Sequence, residues 1–458
     1  MGSPSLLAVS SQLLPAREQM AFTLGFHIVL ASMGVAFPAI TLLANYRGLR
    51  RGDETALTLA QRWSKVMAVL FAVGAVTGTV LSFEFGLLWP GLMKRYGEMF
   101  GIGFAIEGLF FFTEAIFIAI YIYGWKRLRP WPHFWTGVPA VIAGIGGALS
   151  VVSANSWLNQ PAGFKAAADG HVISVQPLDV IFNRATPYEV PHMVLAAYMV
   201  AGFLIASVYA VGMLRGRHDR YHRLGFLIPF TVAAIATPLQ LFVGDTAARA
   251  IAKDQPVKFA AMEYVQSTQT HAPEYLGGIY HNGKVTGGIR IPGLDSLLVG
   301  FSTDTKVTGW NSVAPKDRPP SPTLLHLAFD AMVGIGSLLL LLGAWLAFSW
   351  WRRRELPRTI WFLRAAAVAG VGAVVALECG WIVTEVGRQP WTVYRLLRTE
   401  NAVTGATGIW FSLAVVLVLY TALGVATVIA LRAMARRWRE GDAEDDEVPY
   451  GPPAGALP

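Results

Sequence analysis

The chain of 458 residues holds a single cysteine, Cys379, and only 14% of it is Asp, Glu, Lys or Arg. One cysteine excludes an intrachain disulfide and any cysteine-ligated cluster. A soluble domain carries about 25% charged residues. A chain far below that level, 54% hydrophobic and of positive mean hydropathy, is not an ordinary soluble domain. No internal repeat, P-loop or dinucleotide-binding fingerprint is present. No cleavable signal peptide is expected, because the first apolar run is long and follows Arg17 and Glu18. The net charge of +8 is no nucleic-acid footprint, since the basic residues sit in short clusters between apolar runs.

What is present is a series of apolar runs of roughly 20 residues, the length of a helical membrane span. The sequence predicts an all-α, polytopic bundle of about nine spans, near 19–45, 63–89, 101–124, 134–156, 190–214, 224–246, 323–350, 360–385 and 403–431. Fifteen Trp and 26 Pro fit interfacial anchoring and helix breaks. Basic clusters follow the first span (Arg47, Arg50, Arg51), the third (Lys126, Arg127, Arg129), the fifth (Arg215, Arg217, Arg220, Arg223), the seventh (Arg352, Arg353, Arg354, Arg358) and the ninth (Arg432, Arg436, Arg437, Arg439). By the positive-inside rule these ends are cytoplasmic, with the N-terminus outside and the C-terminus inside. The expected organisation is six spans in 1–246, a long outside loop in 247–322, three spans in 323–433 and a cytoplasmic tail in 434–458. The tail from Glu440 starts acidic, ends in Pro and Gly, and reads as disordered. The stretch Ser5–Arg17 is too short to cross the membrane and reads as an interfacial segment. A polar loop as long as 247–322 is usually functional or disordered, and a substrate site at the membrane surface is the preferred reading.

Ionisable residues inside spans are costly and are kept where they pair, bind a metal or move protons. Glu107 and Glu114 lie seven residues apart in the third span, and Glu378 and Glu385 repeat that spacing in the eighth. Seven residues return to within about 20° of the same helix face. Trp381 falls between the second pair, and Arg388 follows it at the span's end. Two such pairs point to a proton relay or a metal site in the bundle interior; the plainer alternative is interhelical pairing with arginine. His27, in the first span, reads in preference as a metal or haem ligand; the plainer alternative is a hydrogen-bonded packing residue. His192 opens the fifth span after Pro187-Tyr188-Glu189-Val190-Pro191, and Met332 lies in the seventh. A histidine and a methionine on facing helices can hold a haem iron from both sides, although Met332 alone would be core filling. For Trp381 the choice lies between packing on a haem and plain core packing. For Arg388 it lies between binding a haem propionate and closing the helix end.

These residues, in this order, resemble subunit I of the cytochrome bd quinol oxidases over essentially the whole chain. The resemblance is carried by Arg17-Glu18-Gln19-Met20-Ala21-Phe22 with His27 beyond it, Ala105-Ile106-Glu107-Gly108 with Glu114 following, and Pro191-His192. It continues in Lys258-Phe259-Ala260-Ala261-Met262-Glu263, Met332-Val333-Gly334 and, most specifically, the run Gly380-Trp381-Ile382-Val383-Thr384-Glu385-Val386-Gly387-Arg388-Gln389-Pro390-Trp391. The resemblance implies that His192 and Met332 ligate a low-spin haem b, that Glu385 serves a high-spin haem b, and that His27 serves haem d, a chlorin. It further implies that Glu107 lies beside the high-spin haems, Glu114 lies on the proton route, and Lys258 and Glu263 act in quinol oxidation within the long loop, the family's Q-loop. The chain departs from some relatives at Asp330, where they carry arginine, and its Q-loop is of the shorter kind.

The resemblance also implies the reaction. Quinol is oxidised at the outer face, O2 is reduced to water with cytoplasmic protons, and a proton motive force arises without pumping. The expected setting is the bacterial cytoplasmic membrane, with a second large subunit, a small single-span subunit in some members, and no nucleic acid. Two rival classes are an electron-passing membrane cytochrome b, which leaves Glu107, Glu385 and the long loop unused, and a proton-coupled secondary transporter. The transporter leaves the His192/Met332 pair unexplained, and no inverted repeat is evident.

Overall fold

The computed structural model describes residues 6–167, 172–357, 359–440 and 449–450, with side chains from residue 12 onward. Arg358 and most of the tail lie outside the described residues. In chain order the helices are α1 (Leu6–Arg51), α2 (Glu54–Leu88), α3 (Pro90–Gly124), α4 (Pro130–Asn159), the short α5 (Pro177–Ile181), α6 (Thr186–Leu214) and α7 (Arg220–Asp254). They continue with the short α8 (Pro256–Met262) and α9 (Leu294–Gly300), then α10 (Pro322–Arg353), α11 (Ile360–Arg388), the short α12 (Thr399–Ala402) and α13 (Ile409–Glu440). Among the described residues nine helices are long and apolar enough to cross a membrane, as the hydropathy pattern predicts.

The helix ends follow from local chemistry. Asp53, Asp219 and Thr359 cap α2, α7 and α11 by accepting backbone N–H bonds. Proline stands in the first turn of α3, α4, α6, α8 and α10, where its missing N–H has no partner to lose. Several span edges differ from the expectation: α2 and α3 start earlier, at Glu54 and Pro90, α7 runs on to Asp254, and α13 starts later, at Ile409. From Leu6 the stretch before Arg17 is continuous with α1, with Pro15 inside the helix. At 46 residues and 1.5 Å each, α1 is far longer than a bilayer is thick and must project from it. Likewise α13 runs on to Glu440, seven residues past the expected end of its domain. Of the tail beyond it, Tyr450 packs back on the bundle, its hydroxyl 3.0 Å from His133 Nδ1 on α4 and accepting from Asn45 on α1 at 3.1 Å.

Two apolar cores organise the bundle. Met199, Phe203, Phe226, Phe230, Leu339 and Phe362 belong to a core shared by α6, α7, α10 and α11. These helices pack in a ring, α6 on α7, α7 on α10, α10 on α11 and α11 on α6, so α6 and α10 lie diagonally opposite. A second core, with Phe37, Ile40, Leu59, Trp63 and Tyr121, joins α1 to α4 and one face of α6. α13 lies outside this group against α1 and α2. At one end Asp53 accepts from Arg47 at 3.1 Å and from Arg220 at 2.7 Å, tying α1, α2 and α7 together. That contact sets two of the basic clusters side by side.

The connections carry small antiparallel ribbons: β1 (Phe164–Ala166) with β2 (Val172–Val175), β3 (Glu274–Leu276) with β6 (Ile289–Ile291), β4 (Ile279–His281) with β5 (Lys284–Thr286), and β7 (Trp391–Val393) with β8 (Leu397–Arg398). The turn between β4 and β5 is Asn282-Gly283, both at positive φ, the pair a tight hairpin prefers. The long connection from α7 to α10 is therefore folded. Its own core of Phe259, Met262, Tyr264 and Trp310 packs on Leu325 and Ala328 of α10 and Val383 of α11.

Candidate functional site

The first group of candidates lies in the ring of α6, α7, α10 and α11. His192 is on α6 and Met332 on α10, the diagonal pair. The two remaining helices present glycine to them. A Cβ at Gly244 of α7 would stand 3.2 Å from His192 Cε1, and one at Gly380 of α11 would stand 3.1 Å from Met332 Sδ. Any larger residue there would crowd both side chains. His192 Nε2 meets the Gln240 amide nitrogen at 3.2 Å, while its Nδ1 is buried without a hydrogen-bond partner. Trp381 packs against this same apolar core.

The second group converges on α1. His27 Nδ1 lies 2.9 Å from Thr77 Oγ1 of α2, and Gly78 leaves room beside the ring, a Cβ there falling 2.9 Å from Cε1. Gly25 of α1 faces Glu378 of α11, whose Oε2 would be 3.2 Å from a Cβ. Glu114 of α3 is buried, with Oε1 unpartnered, and is faced by Gly34 of α1 and Gly144 of α4. Glu107 lies on the same helix, half-buried. Sequence reasoning passed over Glu84 of α2, which is 3% exposed and accepts from Gln19 Nε2 at 2.8 Å and Thr23 Oγ1 at 3.0 Å. The signal was the same as for the other acids: a carboxylate inside an apolar run.

The third group closes the opposite end of the bundle from Asp53. Glu385 accepts from Asn155 of α4 at 2.8 Å and from Arg388 at 2.5 Å. This arginine contact lies within one helix, three residues apart, and is not the interhelical pairing considered as the plainer alternative. Arg388 is 4% exposed and keeps Nε and Nη1 buried without partners. Beside it Glu189 of α6 accepts from Ser156 at 2.9 Å and Asn159 at 3.1 Å. Lys258 of α8 is 4% exposed and turns towards this knot, its stem filling the gap that Gly387 leaves. Burial lowers its ammonium to about 8, against the pull of Glu189.

Lys258 and Glu263 therefore do not form one pair. They sit at opposite ends of a helix of seven residues, and Glu263 faces a different set: Glu274, Asp295 and Asp330. Asp330 accepts from the Gly277 backbone N–H at 2.5 Å and lies 3.3 Å from His326 Nε2. At this departure from its relatives the chain uses a carboxylate to hold the long connection on α10. A cavity of about 490 Å³ is lined by Arg17, Ala261, Tyr280, Trp310, Gln389 and Pro390, among others. It joins the N-terminal motif, the long connection and the Gly380–Trp391 motif in one place.

The chain is similar to known proteins over most of its length. The model of the family "Cytochrome bd terminal oxidase subunit I" matches residues 15–439. A putative cytochrome bd menaquinol oxidase subunit I of Bacillus subtilis (strain 168) is 34% identical over 425 residues, covering 91% of this chain and 95% of that protein. The cytochrome bd ubiquinol oxidase subunit 1 of the same organism is 29% identical over 454 residues, covering 95% and 96%. The structure of bd oxidase from Geobacillus thermodenitrificans superposes with a TM-score of 0.86 at 32% identity, covering 93% of this chain and 98% of that one. The chain belongs to the cytochrome bd terminal oxidase subunit I family. It is thus a haem-bearing subunit of a terminal oxidase in a bacterial membrane and works in a complex with other subunits.

The residues present fit haem. A ring nitrogen of His192 and two nitrogens of Arg388 are buried with donor or acceptor capacity unused, and glycines stand beside His27, His192 and Met332 where larger side chains would fill the space.

Proposed function

We propose that the chain carries out the oxidation of quinol coupled to reduction of O2 to water, with the three functional tasks held by separate parts of the fold. The carrying observation is the placement of His192 and Met332 on diagonal helices, with glycine facing each of them from the two helices between. His192 and Met332 would hold low-spin haem b, Glu385 would serve a high-spin haem b, and His27 would serve haem d. When bound, haem supplies one-electron transfer and the oxygen chemistry. The protein's residues supply ligands, propionate binding and proton access. Arg388, with two free nitrogens, can hold a propionate while its third stays on Glu385.

Quinol would bind in the cavity between the long connection and the Gly380–Trp391 motif, which makes this connection the Q-loop. Glu263 would accept a quinol proton. Lys258 would steer from the neighbouring knot, not as the partner of Glu263. Glu107 and Glu114 would pass protons inward along α3 from the basic end. With that end cytoplasmic and the Q-loop outside, substrate protons leave on one side and product protons enter from the other. A proton motive force then forms without pumping. A second large subunit, and a small single-span one in some members, are the expected partners.

The test is a reduced-minus-oxidised spectrum of the purified complex with pyridine haemochrome analysis, followed by quinol-driven oxygen uptake. A far-red chlorin band beside b-type bands, with uptake, is expected. Haem b with no chlorin and no uptake would replace this reading with the electron-passing cytochrome.

A further inference from the structure

Glu263, Glu274 and Asp295 come from three separate pieces of the Q-loop, the end of α8, β3 and α9, yet each places a carboxylate oxygen within 4.8 Å of the others. Glu263 is 3% exposed and Asp295 1%, while Glu274 is half-buried and stands nearest the surface. Both oxygens of Asp295, and one each of Glu263 and Glu274, are buried without an N–H or O–H partner. The other ionisable groups facing the cluster are Asp330 and His326 of α10, with Tyr264 beside them. Three carboxylates cannot all be ionised in so small and dry a space, because like charges in low dielectric repel strongly. They must share protons or hold a cation.

We propose that Glu263, Glu274 and Asp295 act as one proton-sharing unit, which receives a quinol proton at Glu263 and releases a proton to the surface at Glu274. The proposal rests on the reading of Glu263 as the quinol's proton acceptor. The balance is simple. One quinol O–H bond breaks, its proton forms a new O–H bond on the Glu263 carboxylate, and the electrons leave to the oxidase's own acceptors. A carboxyl proton already held in the unit then moves on through Asp295 and Glu274 to water, so Glu263 is reset as a base. Burial and the neighbouring carboxylates raise all three groups above the usual carboxylate range, Asp295 to about 11. The unit thus holds protons at neutral pH.

The experiment uses the intact purified oxidase and two readouts. Infrared spectroscopy of the resting enzyme should show protonated carboxyl bands that change in Asp295→Asn, with no quinol added. In quinol-driven oxygen uptake, Asp295→Asn should lower kcat roughly tenfold, less than loss of a general base does, with KM unchanged and the pH profile displaced. Asp295→Glu should restore the profile, and Glu274→Gln should repeat the Asn phenotype if Asp295→Asn assembles poorly. Unchanged infrared bands and an unchanged pH profile would overturn the proposal. So would metal analysis finding one divalent ion per chain, removable by chelator, since the cluster would then be a cation site. Because the infrared result needs no substrate, it separates failure of the shared-proton unit from failure of the quinol reading, which Glu263→Ala tests by itself.

Discussion

The ring of α6, α7, α10 and α11 and the folded connection from α7 to α10 both bury groups that water would otherwise solvate, and they do so in opposite ways. In the ring the candidate ligands are set among apolar side chains, with Gln240 the polar neighbour of His192, and a glycine on the neighbouring helix keeps space beside each. In the loop the acids are gathered together, carboxylate against carboxylate, on strands and short helices too small to be stable alone. The first arrangement suits a large rigid group that fills the space and takes up the unused nitrogen. The second suits protons, which need no space and are exchanged among oxygens a hydrogen bond or two apart. The same cost of burying a polar group is met in one region by room for a cofactor and in the other by proximity.

The largest effect that would break this contrast is at Met332. Met332→Leu keeps the volume and removes the sulfur, so assembly should survive. Loss of the low-spin haem signal, with a high-spin signal in its place, is expected in optical and electron paramagnetic resonance spectra. A low-spin spectrum identical to that of the unaltered protein would remove Met332 from the ligand set, and with it the argument from the diagonal helices.

A smaller effect sharpens the role of the glycines. In Gly380→Ala the new Cβ lies 3.1 Å from Met332 Sδ. Crowding of this kind costs about 1–3 kcal/mol, against a gain of about 1 kcal/mol in helix propensity. Assembly should therefore be nearly unaffected while the low-spin band and its midpoint potential shift. A mutant that assembles with both unchanged would show that the space beside Met332 is not used.

The sequence made the first region more legible than the second. Nine spans, the intramembrane acids and the histidines are all visible as polar interruptions in apolar runs, and that signal needs no knowledge of contacts. Even so, Glu84 carries the same signal and was passed over, because no acid seven residues away completes a pair on its helix. The ring itself was not legible: that α6 and α10 stand diagonally across it, with α7 and α11 between them, is a property of packing. Asp295 gives no sequence signal, because its meaning depends on meeting Glu263 and Glu274 across 32 and 21 positions. The resemblance places Lys258 and Glu263 together in quinol oxidation without saying how they stand to one another. Helix α8 turns Lys258 to the other side, where it meets Glu189 and Arg388.

Lys258 sits where the two regions meet, and it supplies the smallest of these effects. Its ammonium is buried against α11 and lowered to about 8, while in an unfolded chain it would titrate at about 10.4. Below pH 8 both states hold the proton, and the group adds no pH dependence. Between about 8 and 10.4 the unfolded state binds more protons, so this group makes stability rise with pH across that window and level off above it. Thermal denaturation of the detergent-solubilised complex, followed by haem absorbance across this range, should show the rise, and Lys258→Met should remove it. Quinol-driven uptake should move the other way, falling as pH passes 8, because the steering charge is lost while Glu263 still accepts a proton. If the variant kept the same stability slope, Lys258 would not be buried in the knot as its contact with Gly387 implies. It would then return to the loop, beside Glu263, and the line drawn here between the two regions would have to move.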